Sequence, residues 1–503
     1  VTTLGRENSI SIAVENWGPI LSGNVDLKPL TIFIGPNNTG KSYLAMLFYA
    51  LISGLRGIFS VELKKSFIKK IVNQVMKELD KEKNKFEEIR HARTDKIFSE
   101  ITARLCYIVI NNYKELITID RSKIIELLKR IYSSELDDLI NFYSKKAGFK
   151  LETPDIQLIY QNKEGKLYID YEIKDKERIL KQLRKLFIHY FSFTFRRHLL
   201  RFYRRKNSTQ KRKFLTEMVS ELLIDMSTIF ERLLSPQFNI YYLPAARSGI
   251  LQGYRGIAAS IVAVAPLIPL RKEELRIPQL SGPVADFISM LIYVEPSRGR
   301  RLPILPRREV FKERKGINNT LKFLREEVLK GDIEVIRGEK LVIPEIFYKV
   351  EKSIPIARTS SMVSETAPIY LFVRYWTGKN DFLVIEEPES HLHPSAQRLI
   401  ARVLSKLVRA GVNIIISTHS DFLLNEISHI VMLNYQSEKD RLKLGYDYDD
   451  YLRPEEVAVY LFKSENKGSI IEPLEVTKEG IPDDEFRKVA EIMHEESWSL
   501  RVK

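Results

Sequence analysis

The sequence predicts an α/β fold in which a mixed β lobe and a parallel-sheet lobe are split by a large, mainly helical insert. Three observations predict it. An apolar run, Leu30 to Ile34, leads into GPNNTGKS, Gly35 to Ser42, and then into a helical run, Tyr43 to Leu55. Two later apolar runs, Phe382 to Ile385 and Val412 to Ser417, frame a helical stretch, Ser395 to Arg409, as a βαβ unit does. Between these parts, from about Gly57 to Ser235, glycine is rare and apolar residues recur at helical spacing.

At the amino-terminal side, Ser9 to Val14 reads as a strand, Glu15 to Ile20 as a turn and Val25 to Leu27 as the start of a second strand. In the insert, Phe67/Ile68, Ile71/Val72, Val75/Met76 and Leu79 define one helix face, and Ile124/Ile125, Leu127/Leu128 and Ile131/Tyr132 another. Ile156 to Gln161 and Leu167 to Ile173 alternate around NKEG and predict a hairpin within a helical arm. After it, Asn239 to Leu243 reads as a strand ending in the fixed loop PAARSG, Pro244 to Gly249. Val284 to Val294 reads as a helix, Arg298 to Lys315 as a basic exposed loop, and Ile333 to Ile343 as a hairpin around RGEK. A helix is expected near Asp484 to Glu496. The domains expected are 1–57, the first part of a head; 58–235, the insert; 236–460, the rest of the head; and 461–503, an extension packed on it.

Composition bounds the function. The 503 residues leave room for two or three domains, and 44% apolar content is that of a globular chain. A net charge of +15 permits a polyanionic partner. One cysteine, Cys106, lies in an apolar helical run and reads as a core residue; a disulfide within the chain is excluded, which suits a reducing cytoplasm. No uncharged apolar run of about 18 residues occurs, so no membrane helix is expected. No basic stretch followed by an apolar one opens the sequence, so no signal peptide is read and the expected location is cytoplasmic.

The chemistry begins at Gly35–Ser42, which has the spacing G-x-x-x-x-G-K-[ST] between a strand and a helix. Gly35 and Gly40 let the backbone turn its N–H groups toward phosphate oxygens. Asn37, Asn38, Thr39 and Tyr43 belong to the same cradle, and the helix that follows points its positive end at the anion. Lys41 reaches the β- and γ-phosphates, and Ser42 offers a hydroxyl to Mg²⁺. The ligand this predicts is ATP with Mg²⁺.

Two later strands end in matching chemistry. In FLVIEEPESHLHP, Glu386 and Glu387 emerge at the carboxyl edge of a buried strand, where open α/β sheets bind ligands. One carboxylate suits the metal and the other the attacking water. In NIIISTHSDFLL, His419 stands where an imidazole meets a γ-phosphate or that water. His391 and His393 resemble a metal pair, but no third ligand is evident.

These motifs, in this order, resemble the ABC-type ATPase heads of the RecF, SMC and OLD-like proteins. SIAVENWGPI, LTIFIGPNNTGKS and YLPAARSG are similar to segments of the same group. The resemblance covers about the first 57 residues and most of the chain after Phe238, and leaves out the insert. It implies an ABC-type head with Glu386 on the metal side, a place more often held by Asp. It makes Glu387 the catalytic carboxylate, His419 the switch histidine, and Lys41 a partner of the transferred phosphoryl group. It also implies a serine-led signature, for which TSSMVSE, Thr359 to Glu365, is the candidate. Met362 stands where the family often has Gly, so both Ser360 and Ser361 remain candidates, beside the simpler reading of an ordinary serine N-cap. Two heads would then enclose two ATP molecules, as a homodimer or higher oligomer.

The resemblance further implies what the head acts on. OLD proteins usually carry a TOPRIM nuclease; here DYDD, Asp447 to Asp450, follows no convincing strand and reads as an acidic loop. The chain is similar to ATPase subunits of anti-phage systems such as Septu and PARIS, which work with a separately encoded effector, often a nuclease. The alternative is a DNA-binding repair or maintenance ATPase of RecF or SMC type. Arg196, Arg197, Arg201, Arg204, Arg205, Lys206, Lys211, Arg212 and Lys213 occur with no acid between them and would suit nucleic acid or a protein partner. An autonomous nuclease is the third and weakest reading.

Overall fold

The computed structural model describes residues 10–61, 65–88, 110–163, 166–186, 207–234, 238–264, 280–294, 314–337 and 343–501, with a few isolated positions besides. Its frame is one 11-stranded sheet with strand order β8-β7-β6-β1-β2-β16-β15-β3-β14-β13-β9. The strands are β1 Ser11–Trp17, β2 Ile20–Asp26, β3 Leu30–Ile34, β6 Lys146–Glu152, β7 Ile156–Lys163, β8 Lys166–Ile173, β9 Ile240–Leu243, β13 Phe382–Glu386, β14 Asn413–Ser417, β15 Val457–Glu465 and β16 Gly468–Leu474. A ribbon, β4 Phe59–Val61 with β5 Ile117–Ile119, and a small sheet of β10 Asp332–Ile336, β11 Glu345–Lys349 and β12 Ser353–Pro355 lie outside it.

The sheet has two characters. From β8 to β2 every pair is antiparallel, whereas β15, β3, β14, β13 and β9 run parallel. The parallel strands are mostly apolar where helices cover both faces, and β15 turns polar only in its exposed end, Lys463 to Glu465. Alternate residues go to different cores: Leu30, Ile32 and Ile34 of β3 to one, Phe33 to the other. On the Phe33 side lies α1, Lys41–Ile58, with the insert helices α2, Lys65–Glu88, α3, Arg121–Tyr132, and α4, Ser208–Leu234. The opposite face carries α5 Arg247–Val264, α6 Gly282–Ile292, α7 Lys315–Phe323, α8 Ser361–Tyr375, α9 Pro394–Arg409 and α10 Asp421–Met432. A last helix, α11, spans Asp484–Arg501. Among the described residues no helix is long and apolar enough to cross a membrane.

Several expectations need correction. The hairpin at Ile156–Ile173 does not stand in a helical arm: through β6 it extends the main sheet beside β1. The reason is burial, since Trp17, Phe149 and Tyr160 pack together, with Phe149 stacked on Tyr160 at 4.9 Å between centroids. The strand β6 was hidden in KAGFKLE by its lysines and Gly148, whose added Cβ would lie 2.8 Å from the Tyr160 carbonyl. β1 also runs on to Trp17, because Asn16, at φ 51°, rotates that ring inward. Pro244–Gly249 is not all loop, as α5 starts at Arg247. The small-sheet hairpin pairs β10 with β11, further along than the expected arms. A boundary at 461 would cut β15, and β15 and β16 sit inside the main sheet between β3 and β2.

Candidate functional site

The phosphate loop follows β3 at the carboxyl edge of the parallel strands. Its glycines are required by shape. Gly35 has φ 132° and an added Cβ would lie 2.5 Å from the Phe462 carbonyl oxygen; Gly40 has φ 94° and its Cβ would meet Ile20 at 2.6 Å. Asn38, at φ 63°, completes the turn, and it is exposed together with Asn37. Thr39 is buried and donates to the Pro36 carbonyl at 2.9 Å. Ser42 and Tyr43, half-buried, open α1. Lys41 is 6% exposed, and its ammonium donates to the Gly35 and Pro36 carbonyls at 2.9 and 2.6 Å. Burial lowers its pKa to about 8, against a raising field from Glu387.

Glu386, 8% exposed, ends β13 and accepts from the Ala245 N–H at 3.1 Å. Glu387 follows at φ 42°, a left-handed backbone that directs it out of the strand line. Its N–H donates to the Ser417 carbonyl at 2.9 Å, and its carboxylate accepts from Ser390 at 2.8 Å. His419 stays accessible past the end of β14. Partial burial of its ring and then the Lys41 ammonium lower its pKa, while Glu387 raises it. Lys41, Glu387 and His419 thus sense one another's charge at one sheet edge.

Two residues that the sequence reading did not single out hold this edge together. Glu389 is 8% exposed; one oxygen accepts from the Thr418 hydroxyl at 2.7 Å and the His419 N–H at 2.8 Å. Burial raises its pKa. The signal was present in EEPES, as a third acid two residues after the pair. Arg247 is fully buried, and its guanidinium donates to the Glu386 and Glu387 carbonyls at 2.7 and 3.0 Å. An arginine between Ala and Ser in PAARSG was the trace of it.

Ser360 caps α8, its hydroxyl accepting from the Val363 N–H at 3.5 Å, and both Ser360 and Ser361 are exposed at the helix start. The histidines do not form a metal pair. His391 Nδ1 lies 2.8 Å from Glu365, while His393 Nδ1 faces the Ser395 hydroxyl at 2.8 Å. Asp447, Asp449 and Asp450 converge, but the Lys406 ammonium lies 2.8, 2.6 and 3.0 Å from the three and Arg402 2.7 Å from Asp450. Buried Cys106 has its thiol pushed up to about 12, as befits a core residue.

Of the basic run, Arg196, Arg197, Arg201, Arg204, Arg205 and Lys206 lie outside the described residues. Lys211, Arg212 and Lys213 are on α4, where Arg212 donates to Asn73 of α2 at 2.8 Å. Residues 298–313 of the second basic stretch also lie outside. Its next residue, Arg314, donates to carbonyls of Val373, Arg374 and Thr377 at the end of α8, at 3.0 to 3.2 Å.

Fold and site together define a P-loop nucleotide hydrolase head, with the phosphate loop, the acidic strand end and the histidine strand end on adjacent parallel strands. The AAA ATPase domain family matches residues 10–234 and 308–424, and the chain belongs to that family: it is an ATPase. The match runs through the insert that the motifs had left out. No curated protein matches the chain in sequence. Solved structures similar to it include an SMC head bound to the C-winged helix domain of ScpA (10% identity, 94% of this chain and 98% of that one, TM-score 0.36). The SMC head domain from Thermotoga maritima has 11% identity, with 93% and 100% covered and a TM-score of 0.34. An Smc head from Pyrococcus furiosus, with an extended coiled coil and bound to the C-terminal domain of ScpA, has 9% identity, with 97% and 99% covered and a TM-score of 0.36.

Proposed function

We propose that this ATPase works as an ABC-type head, in which two copies close over ATP and the closure controls a partner. The carrying observation is a division of labour within the chain. Lys41, Glu387 and His419 gather at the phosphate loop, while Ser360 and Ser361 are presented outward on the first turn of α8. A helix start that presents two exposed serines suits the γ-phosphate held by a second copy.

In this reading Gly35 to Tyr43 bind the phosphates through backbone N–H groups, and Lys41 leaves its loop carbonyls to meet them. The hydroxyl and carboxylate of Ser42 and Glu386 form an all-oxygen donor set, which fits Mg²⁺. That ion would supply neutralisation of phosphate charge. Glu387 accepts a proton from the attacking water, and His419 donates to the γ-phosphate edge. Glu389 and Arg247 keep both in place. A homodimer or higher oligomer is the active species.

The partner is a separately encoded effector, a nuclease being the leading candidate, in anti-phage defence. This rests on the resemblance to Septu and PARIS ATPases. The second reading, a DNA-binding maintenance ATPase of RecF or SMC type, is favoured by the net charge of +15 and the acid-free run around Arg204. An autonomous nuclease remains the weakest reading, because Lys406 pairs with Asp447, Asp449 and Asp450, and Arg402 with Asp447 and Asp450.

The experiment is sedimentation of Glu387→Gln with and without Mg·ATP, followed by copurification from the native host with and without ATP. An ATP-dependent dimer that retains an effector supports the first reading. A dimer that instead retains only DNA, released by salt, supports the second.

A further inference from the structure

Phe142 is 98% exposed and Tyr143 68% exposed, yet the loop that carries them is firmly built. Asn141 is 4% exposed, and its amide donates to the carbonyls of Gly18 and Lys467, both at 3.1 Å. Its side-chain oxygen accepts from the Tyr143 N–H at 3.0 Å, and its own N–H donates to Asn16 at 2.9 Å. The Gly18 N–H returns a bond to Leu139 at 2.7 Å. So the two rings are held outward by a fixed backbone and serve no core.

The loop stands beside the phosphate site. The β1–β2 turn that Asn141 grips is packed on the phosphate loop: an added Cβ at Gly18 would meet the Tyr43 ring at 2.6 Å, and Gly40 abuts Pro19 and Ile20. The β15–β16 turn it also grips reaches the loop beside the β1–β2 turn, where the Ser469 N–H donates to the Pro19 carbonyl at 2.9 Å and its hydroxyl to the Thr39 carbonyl at 2.6 Å. Both turns lie at the carboxyl edge of β3, since β15 runs parallel to β3 with Leu461 opposite Ile34. A triphosphate seated on Lys41 and Ser42 must lead its sugar and base away from the buried loop along this edge. The Lys467 ammonium, 5.9 Å from the Tyr143 ring centroid, adds a cation there.

We propose that Phe142 and Tyr143 form the stacking platform for the base of the nucleoside triphosphate. This rests on the reading of Gly35–Ser42 as its phosphate site. Every nucleobase offers a π-face, and an exposed ring on a fixed backbone meets it with little reorganisation.

The test is calorimetric titration of the full chain with Mg·ATP and, separately, with inorganic tripolyphosphate. Phe142→Ala/Tyr143→Ala removes two exposed rings. It is expected to bind tripolyphosphate as the native chain does and ATP about 5- to 100-fold more weakly, the range of base–aromatic stacking. ATP affinity within twofold of native overturns the platform, and so does an equal loss for both ligands. If the variant only loses ATP-dependent dimerisation at unchanged ATP affinity, the rings are a subunit contact and the proposal is overturned. Lys41→Ala tests the underlying reading separately: it must weaken both ligands, and unchanged affinity for both would sink the phosphate site instead.

Discussion

Arg247 Nη2 lies 3.1 Å from Glu365 Oε2, and the two side chains are 0% and 1% exposed. Glu365 belongs to the first turns of α8, behind Ser360 and Ser361. The same guanidinium holds the carbonyls of Glu386 and Glu387, and its Nε donates to the Glu365 carbonyl at 3.2 Å. One buried arginine therefore ties the serine-bearing helix to the acidic strand end. His391 and Ser248 complete the shell of Glu365 from the outside.

Truncating either partner leaves a buried charge unpaired. Arg247→Ala should destabilise the chain by about 3–5 kcal/mol. Denaturant unfolding checks this, and a loss under about 1 kcal/mol would show that the pair is not buried as described. Surface Arg255→Ala, whose Glu345 partner is 33% exposed, should cost far less.

Glu387→Gln keeps the size and the strand-end backbone of Glu387 and removes the base. Turnover should fall at least about 100-fold with ATP affinity retained. Steady-state hydrolysis and equilibrium ATP binding are the paired readouts, and unchanged turnover would remove Glu387 from its role.

Glu389 acts through its neighbours. Glu389→Ala strips acceptors from the Thr418 hydroxyl and the His419 N–H, so turnover should drop about tenfold or more while ATP affinity stays near native. Glu389→Gln retains one carbonyl acceptor and should recover part of the rate. A change confined to affinity would contradict this.

Lys41 has its ordinary pKa lowered to about 8 by burial. The free protein then loses the ammonium as pH rises through 8, and initial ATP affinity should weaken above that pH. The stability sign is opposite. Between 8 and the unfolded value the unfolded chain binds more protons, so this group makes stability rise with pH across that window. Lys41→Arg should bind ATP with no such pH dependence, and an equally sloped profile in that variant would assign the titration elsewhere.

Much of this was legible in the sequence because the parallel strands are short apolar runs that end in polar chemistry. Leu30–Ile34, Phe382–Glu386 and Asn413–Ser417 announce both the sheet and the edge where Lys41, Glu387 and His419 meet. What stayed hidden is long-range. The lysines and Gly148 mask β6, the Ile156–Ile173 hairpin carries an alternation that fixes strands but not their neighbour, and only packing on Trp17 assigns them to the main sheet. Arg247, Glu365 and Glu389 each look like solvated charges in one dimension, since their partners lie 118, 118 and 29 residues away.

Completion of each site by a second copy is tested most directly by mixing two inactive chains. Lys41→Ala cannot use its own phosphate loop, and Ser360→Arg/Ser361→Arg cannot serve the loop of its partner. In a mixed dimer the serines of the first chain face the intact loop of the second, so mixing should restore turnover that neither chain has alone. Hydrolysis by the mixture equal to the sum of the separate chains, with ATP binding by the serine variant intact, would contradict a site shared between two copies.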